Sequence, residues 1–111
     1  RINGRRQRLV TLGDDAATSI AMTSGLTSGC LVYIGSNTST DRYSAIVFVN
    51  TTASPVCYAL VAGADVDTTT GILSGTTGAD TQFTVSARGD GRIYFENRTG
   101  SSLTFFIEFA G

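Results

Sequence analysis

The sequence predicts an all-β fold, a single β-sandwich or jelly roll of about eight antiparallel strands. Three observations carry this expectation. Apolar and polar residues alternate with a period of two through most of the chain, and no stretch of about 11 residues keeps a helical period. Turn-forming residues recur roughly every 8–12 residues. The composition sets 28 Ser and Thr and 13 Gly against one proline, Pro55, with only 15% charged residues. Such a chain suits pleated strands and tight turns better than helices, which favour Glu, Lys, Leu and Ala.

Each element follows from local pattern. Residues 7–12 read as a first strand, and Asp14 and Asp15 turn the chain. Residues 18–22 continue as a second strand or the far side of a bend, and residues 23–29 are Gly, Ser and Thr turn chemistry. Residues 30–34 form a nearly continuous apolar strand, followed by a polar loop over 35–41. Residues 43–49 and 56–62 are apolar on both faces, with a turn at 51–55 between them. A strand with one wet face alternates, so these three central strands call for cover on both sides. A second sheet supplies one cover, and a neighbouring subunit is the economical source of the other.

Residues 65–77 read as a Gly- and Thr-rich loop with a short apolar pair, Ile72 and Leu73. In residues 82–87, Phe83, Val85 and Ala87 share one face and Gln82, Thr84 and Ser86 the other. Residues 88–91 make a hairpin turn, and residues 92–97 return with Ile93 and Phe95 inward. After a turn over 97–102, Leu103, Phe105, Ile107 and Phe109 line one face of the last strand, while Phe106 interrupts its polar face. The expected contacts between copies are therefore Tyr43, Phe48, Tyr58 and Phe106.

At 111 residues the chain holds one hydrophobic core and one domain. Residues 1–8 form a basic arm, with Arg1, Arg5, Arg6 and Arg8 and no acid, ahead of a sandwich domain over 9–111. The arm carries +4 and the remainder −5, for a net charge of −1. Arginines in such a segment can pair the carboxylates of a larger assembly bidentately, so these four are the expected attachment residues. The body lacks a basic stripe with interleaved aromatics, so nucleic acid is not an expected partner. A membrane is not expected either, since no run reaches about 18 apolar residues. The chain opens on Arg1 rather than Met, so it is expected to be part of a longer one.

The chain has no His, no Lys and no Trp. That removes a His-based catalytic triad, imidazole metal ligation and a Schiff-base lysine. The only strand-borne glutamates, Glu96 and Glu108, fall on the outer faces, so an enzyme is not expected, nor a cofactor or metal. Asp65 and Asp67 offer too few carboxylates for calcium, which needs six to eight oxygens. Cys30 and Cys57 both fall in strands. They can bridge if those strands are neighbours, and otherwise behave as small buried hydrophobes. Arg88-Gly89-Asp90 spells an integrin-binding tripeptide, but its residues also suit a tight turn. Asn37, Asn50 and Asn97 open glycosylation triplets that arise readily in a Ser- and Thr-rich chain.

Three stretches carry a family resemblance. Thr70-Gly71-Ile72-Leu73-Ser74-Gly75-Thr76-Thr77-Gly78-Ala79-Asp80, running into Phe83-Thr84-Val85-Ser86-Ala87, resembles a segment of small virion proteins of tailed bacteriophages. Gly91-Arg92-Ile93-Tyr94-Phe95-Glu96-Asn97-Arg98-Thr99-Gly100 is similar to the same proteins, as is Val10-Thr11-Leu12-Gly13-Asp14-Asp15-Ala16-Ala17-Thr18-Ser19-Ile20. Together they span about a third of the chain. The resemblance implies a β-sandwich or jelly-roll module, often trimeric, of the kind found in capsid decoration (cement) proteins, head fibres and tail-fibre tips. The expected role is a structural part on the virion surface, a decoration protein or head fibre bound to other capsid or tail proteins. The alternative is a receptor-binding fibre tip that recognises host surface glycan.

Overall fold

The computed structural model describes the backbone of residues 6–22, 25–37 and 42–110 and, apart from residues 6, 7 and 110, their side chains. Nine strands form among them: β1 (Arg6–Leu12), β2 (Ala16–Ala21), β3 (Cys30–Ser36), β4 (Ala45–Asn50), β5 (Val56–Ala62), β6 (Val66–Thr70), β7 (Phe83–Arg88), β8 (Arg92–Asn97) and β9 (Leu103–Ala110). They build two sheets, a five-stranded one ordered β1-β9-β3-β4-β5 and a four-stranded one ordered β2-β8-β7-β6. The architecture is a β-sandwich, as the alternation predicts.

The alternation also fixes the core. Val32, Val47, Val49, Phe105 and Ile107 project from the five-stranded sheet, and Phe83, Val85, Ile93 and Phe95 from the four-stranded one, all essentially fully buried. Phe105 lies 4.8 Å from Phe83 and 5.4 Å from Phe95 between ring centroids, tilted against both. Ring edges then meet ring faces, the favoured geometry for aromatic pairs, and this trio joins the two sheets.

Two sequence expectations change. The segment after Asp65 is not all loop: Val66–Thr70 forms β6, which pairs with β7 in parallel. A parallel neighbour needs a crossover of about a dozen residues, and residues 71–82 supply it. The count is therefore nine strands, with one parallel pair. Glu96 lies on the outer face of its sheet, as expected, but it is fully buried there rather than solvated.

The cysteines are not bridged. The register aligns Cys30 with Val49 and Val49 with Cys57, so β4 separates the two thiols. Two strand spacings amount to about 9.6 Å, beyond the reach of a disulfide. Burial pushes the Cys57 thiol up to about 12, partly opposed by a hydrogen bond from the Thr69 backbone.

Between Ile46 and Val47 the β4–β5 register shifts by one residue. Ile46 faces Val61 and Val47 faces Ala59, which leaves Leu60 as the extra residue of a β-bulge. Leu60 and Val61, adjacent in the chain, are in consequence both 58% exposed.

Candidate functional site

The strands of the five-stranded sheet bury one face against the other sheet and turn the second face outward. The register sorts that outer face into rows. Leu31, Phe48 and Tyr58 form one, and Glu108, Tyr33, Ile46 and Val61 another. A third joins Leu9, Phe106 and Gly35, and Thr11 pairs with Thr104 at the polar margin. Apart from Glu108 and the threonine pair, these rows are almost entirely aliphatic and aromatic. Tyr58 is 53% exposed, Phe106 43% and Leu9 74%. Phe48 packs on Tyr58 with ring centroids 5.5 Å apart.

Gly35 shapes the middle of this face. A Cβ at that position would overlap the Phe106 ring, so the ring lies directly on the β3 backbone. Five strands about 4.8 Å apart, each showing about six residues of 3.3 Å rise, give a flat footprint of roughly 480 Å². Part of that face is exposed apolar surface, from Tyr58, Val61 and Phe106.

Of the expected contact residues, Phe48, Tyr58 and Phe106 meet on this face. Tyr43 does not. It sits in the turn before β4, half-buried, and packs against the core cluster. Leu60 and Val61 were not singled out from the sequence, because the parity that exposes them depends on the bulge.

Of the attachment residues, Arg1 and Arg5 lie outside the described residues. Arg6 and Arg8 belong to the edge strand β1, opposite Phe109 and Ile107. Arg8 is exposed and makes no ion pair among the described residues. The other arginines are engaged inside the domain: Arg42 with Asp65 at 3.3 Å, Arg88 with Asp90 at 3.1 Å, and Arg98 with Asp15 at 3.0 Å. Arg92 donates to Ser19 Oγ at 2.9 Å.

The remaining motifs resolve into structural roles. Asp90 accepts from Tyr94 Oη at 2.8 Å, the Arg92 backbone N–H at 3.1 Å and Arg88. Slight desolvation raises its carboxyl, but those three hydrogen bonds outweigh it and hold the group below the usual carboxylate range. The Arg88-Gly89-Asp90 turn is thus tied to its own hairpin. Asn97 is fully buried, and its amide donates to the carbonyls of Leu12, Gly13 and Ser101. Asn50 donates to the Ser28 carbonyl and accepts from Thr52. Among the described residues no cluster of three or more Cys, Asp or Glu could hold a metal ion.

The outer face of the four-stranded sheet is built differently. Glu96 projects from β8 under the crossover 71–82. It accepts hydrogen bonds from the backbone N–H groups of Gly75 at 2.8 Å, Thr77 at 3.0 Å and Gly78 at 2.6 Å. Ser86 Oγ donates to the Gly71 carbonyl at 2.6 Å. Gly75 sits at φ 118°, where a Cβ would come within 2.5 Å of the Asp15 carbonyl oxygen.

No family model matches this chain, and no curated protein matches it. Among solved structures, the crystal structure of the tailspike protein of Acinetobacter phage vB_ApiP_P1 aligns with a TM-score of 0.44 at 12% identity. The alignment covers 96% of this chain and 21% of that one, so the chain spans about a fifth of the tailspike's length.

Proposed function

We propose that the protein is a non-enzymatic structural component of a bacteriophage virion, a decoration protein or head fibre on the particle surface, that assembles with copies of itself as a homotrimer. The observation that carries the self-association is the apolar outer face of the five-stranded sheet, where Tyr58, Val61 and Phe106 are exposed in the described chain. The virion setting and the number three rest on the sequence resemblance. Arg6 and Arg8, on the free edge of β1, offer charge for attachment to an acidic neighbour.

The test has two arms. Sedimentation of the protein at micromolar concentration is expected to give three chains, and a Tyr58→Ser, Phe106→Ser double variant a single folded chain. Labelling on intact particles is expected to place the protein on the head. A wild type that stays a single soluble chain would remove the self-association. A label at the tail end, with binding to host glycan, would favour the fibre-tip alternative.

A further inference from the structure

The sequence holds one Asp-Gly pair, Asp90-Gly91, at the tip of the β7–β8 hairpin. Arg88 pairs with Arg92, so the loop is the three residues between them, and Gly91 takes φ 78° in it. Three-residue hairpin loops call for a residue in the left-handed region, which favours glycine. That choice carries a chemical liability. Gly91 has no side chain to keep its backbone nitrogen away from the carboxyl group of the residue before it. In such a pair the nitrogen can attack Cγ of the aspartic acid. The N–Cγ bond forms, the Cγ–O bond to the acid hydroxyl breaks, and the hydroxyl leaves with the amide proton as water. The product is a succinimide. One water molecule then opens the ring at either carbonyl, giving back aspartate or leaving isoaspartate. Isoaspartate routes the main chain through Cβ and Cγ, one methylene longer, at the turn that sets Arg88 opposite Arg92.

Both reacting groups are tied down in the structure. Asp90 Oδ1 accepts from the Arg92 backbone N–H at 3.1 Å, and Oδ2 accepts from Tyr94 Oη at 2.8 Å and Arg88 Nη1 at 3.1 Å. Ring closure needs the neutral acid, because a carboxylate has no hydroxyl to lose. Three donors favour the charged form and fix its position. On the other side, the Gly91 N–H donates to the Thr51 carbonyl at 3.0 Å. Attack requires that nitrogen to turn toward Cγ, which breaks this bond. The acceptor is itself anchored: Thr51 is buried, and its N–H donates to the Thr27 carbonyl at 2.7 Å. Gly89 seats the loop on the same segment, since a Cβ there would come within 2.9 Å of the Thr52 carbonyl oxygen.

We propose that these contacts guard the Asp90-Gly91 bond against isomerisation, with Tyr94 and Arg88 as the side-chain donors and the Thr51 carbonyl as the restraint on the nucleophile. The inference is independent of the virion reading. Burial is not the source of the protection, because the Asp90 side chain is 29% exposed and water reaches it. The hydrogen bonds are, and they leave the Arg88-Gly89-Asp90-Gly91 turn free to use the glycine its backbone needs.

The test incubates the chain, folded and in urea, in heavy-oxygen water at mildly acidic pH. Each succinimide that opens then leaves one labelled oxygen, read by mass spectrometry in the proteolytic peptide that holds residue 90. The folded wild type is expected to isomerise at least about tenfold more slowly than the unfolded chain. Tyr94→Phe and Arg88→Gln each remove one donor, and each is expected to raise the folded rate at least about threefold while the thermal melt stays at the wild-type value. Arg42→Gln removes an exposed ion pair elsewhere and is expected to leave the rate unchanged. Amide exchange at Gly91 separates the guard from simple opening of the hairpin, and it is expected to be unchanged in Tyr94→Phe. A folded wild type as fast as the unfolded chain, or variants no faster than wild type, would overturn the proposal. So would an acceleration matched by an equal rise in Gly91 exchange, because opening of the hairpin would then be its cause.

Discussion

The two sheets of the sandwich bury similar inner faces, yet the outer face of one is covered by its own chain and that of the other is exposed. The four-stranded sheet presents Glu96, Thr84 and Ser86, and the crossover 71–82 folds down onto them through hydrogen bonds to Glu96 and from Ser86. The five-stranded sheet presents Tyr58, Phe106 and their neighbours, and leaves them exposed. A polar outer face can recruit its own chain, because a loop's unpaired N–H groups need acceptors and a buried carboxylate needs donors. An apolar face gives a loop backbone nothing to bond to. Tyr58, Val61 and Phe106 on that face stay exposed in the described chain.

Breaking the covered face should give the largest effect. Glu96→Ala leaves three backbone N–H groups without their acceptor, at about 1–3 kcal/mol for each one that stays buried. Urea unfolding should show a loss of about 3 kcal/mol or more, with earlier proteolysis within 71–82. The interior that both sheets share gives a reference of similar size. The Cys57 thiol is held protonated to about 12. An unfolded thiol ionises near its ordinary value, so stability is fully present below that pH and falls as pH rises toward 12. The slope should be about 1.4 kcal/mol per pH unit above roughly pH 9, and Cys57→Ala should flatten it. Both cysteines should resist thiol reagents at pH 8 until the protein unfolds.

On the open face, Gly35→Ala forces the Phe106 ring off the β3 backbone. Overpacking of this kind costs about 1–3 kcal/mol in a closed core. Here the ring can swing into solvent, so a loss near 1 kcal/mol is expected, together with weaker self-association. The smallest change belongs to Thr84→Val under the crossover. Thr84 Oγ1 is buried without a hydrogen-bond partner among the described residues. Replacing it with a methyl of the same shape should leave the melting temperature unchanged or slightly raised.

How far the sequence foretold this contrast depends on how local each cause is. The alternation of Phe83, Val85 and Ala87, or of Leu103, Phe105, Ile107 and Phe109, is a local signal and marks the core directly. The doubly apolar runs over 30–34, 43–49 and 56–62 likewise foretold an outer face that is largely apolar. β6 went unseen because Asp67 and three threonines hide a strand whose parallel partner lies beyond a twelve-residue crossover. The burial of Glu96 was illegible because its donors, Gly75 to Gly78, lie about twenty residues away. Tyr43 was misplaced because its run continued an apolar strand that in fact begins at Ala45.

The pairing of β1 with β9 sets a timetable for synthesis. Among the described strands β1 is made before the others, and its neighbour in the sheet is β9, made after them. Ninety-one positions separate Leu12 from its partner Leu103. At about 5–20 residues per second, β1 waits roughly 5–20 s with both edges open. An unpaired strand in that interval invites pairing with other nascent chains. Arg6 and Arg8 are the kind of charge that discourages such pairing. Arg6 and Arg8 would then guard β1 on the ribosome.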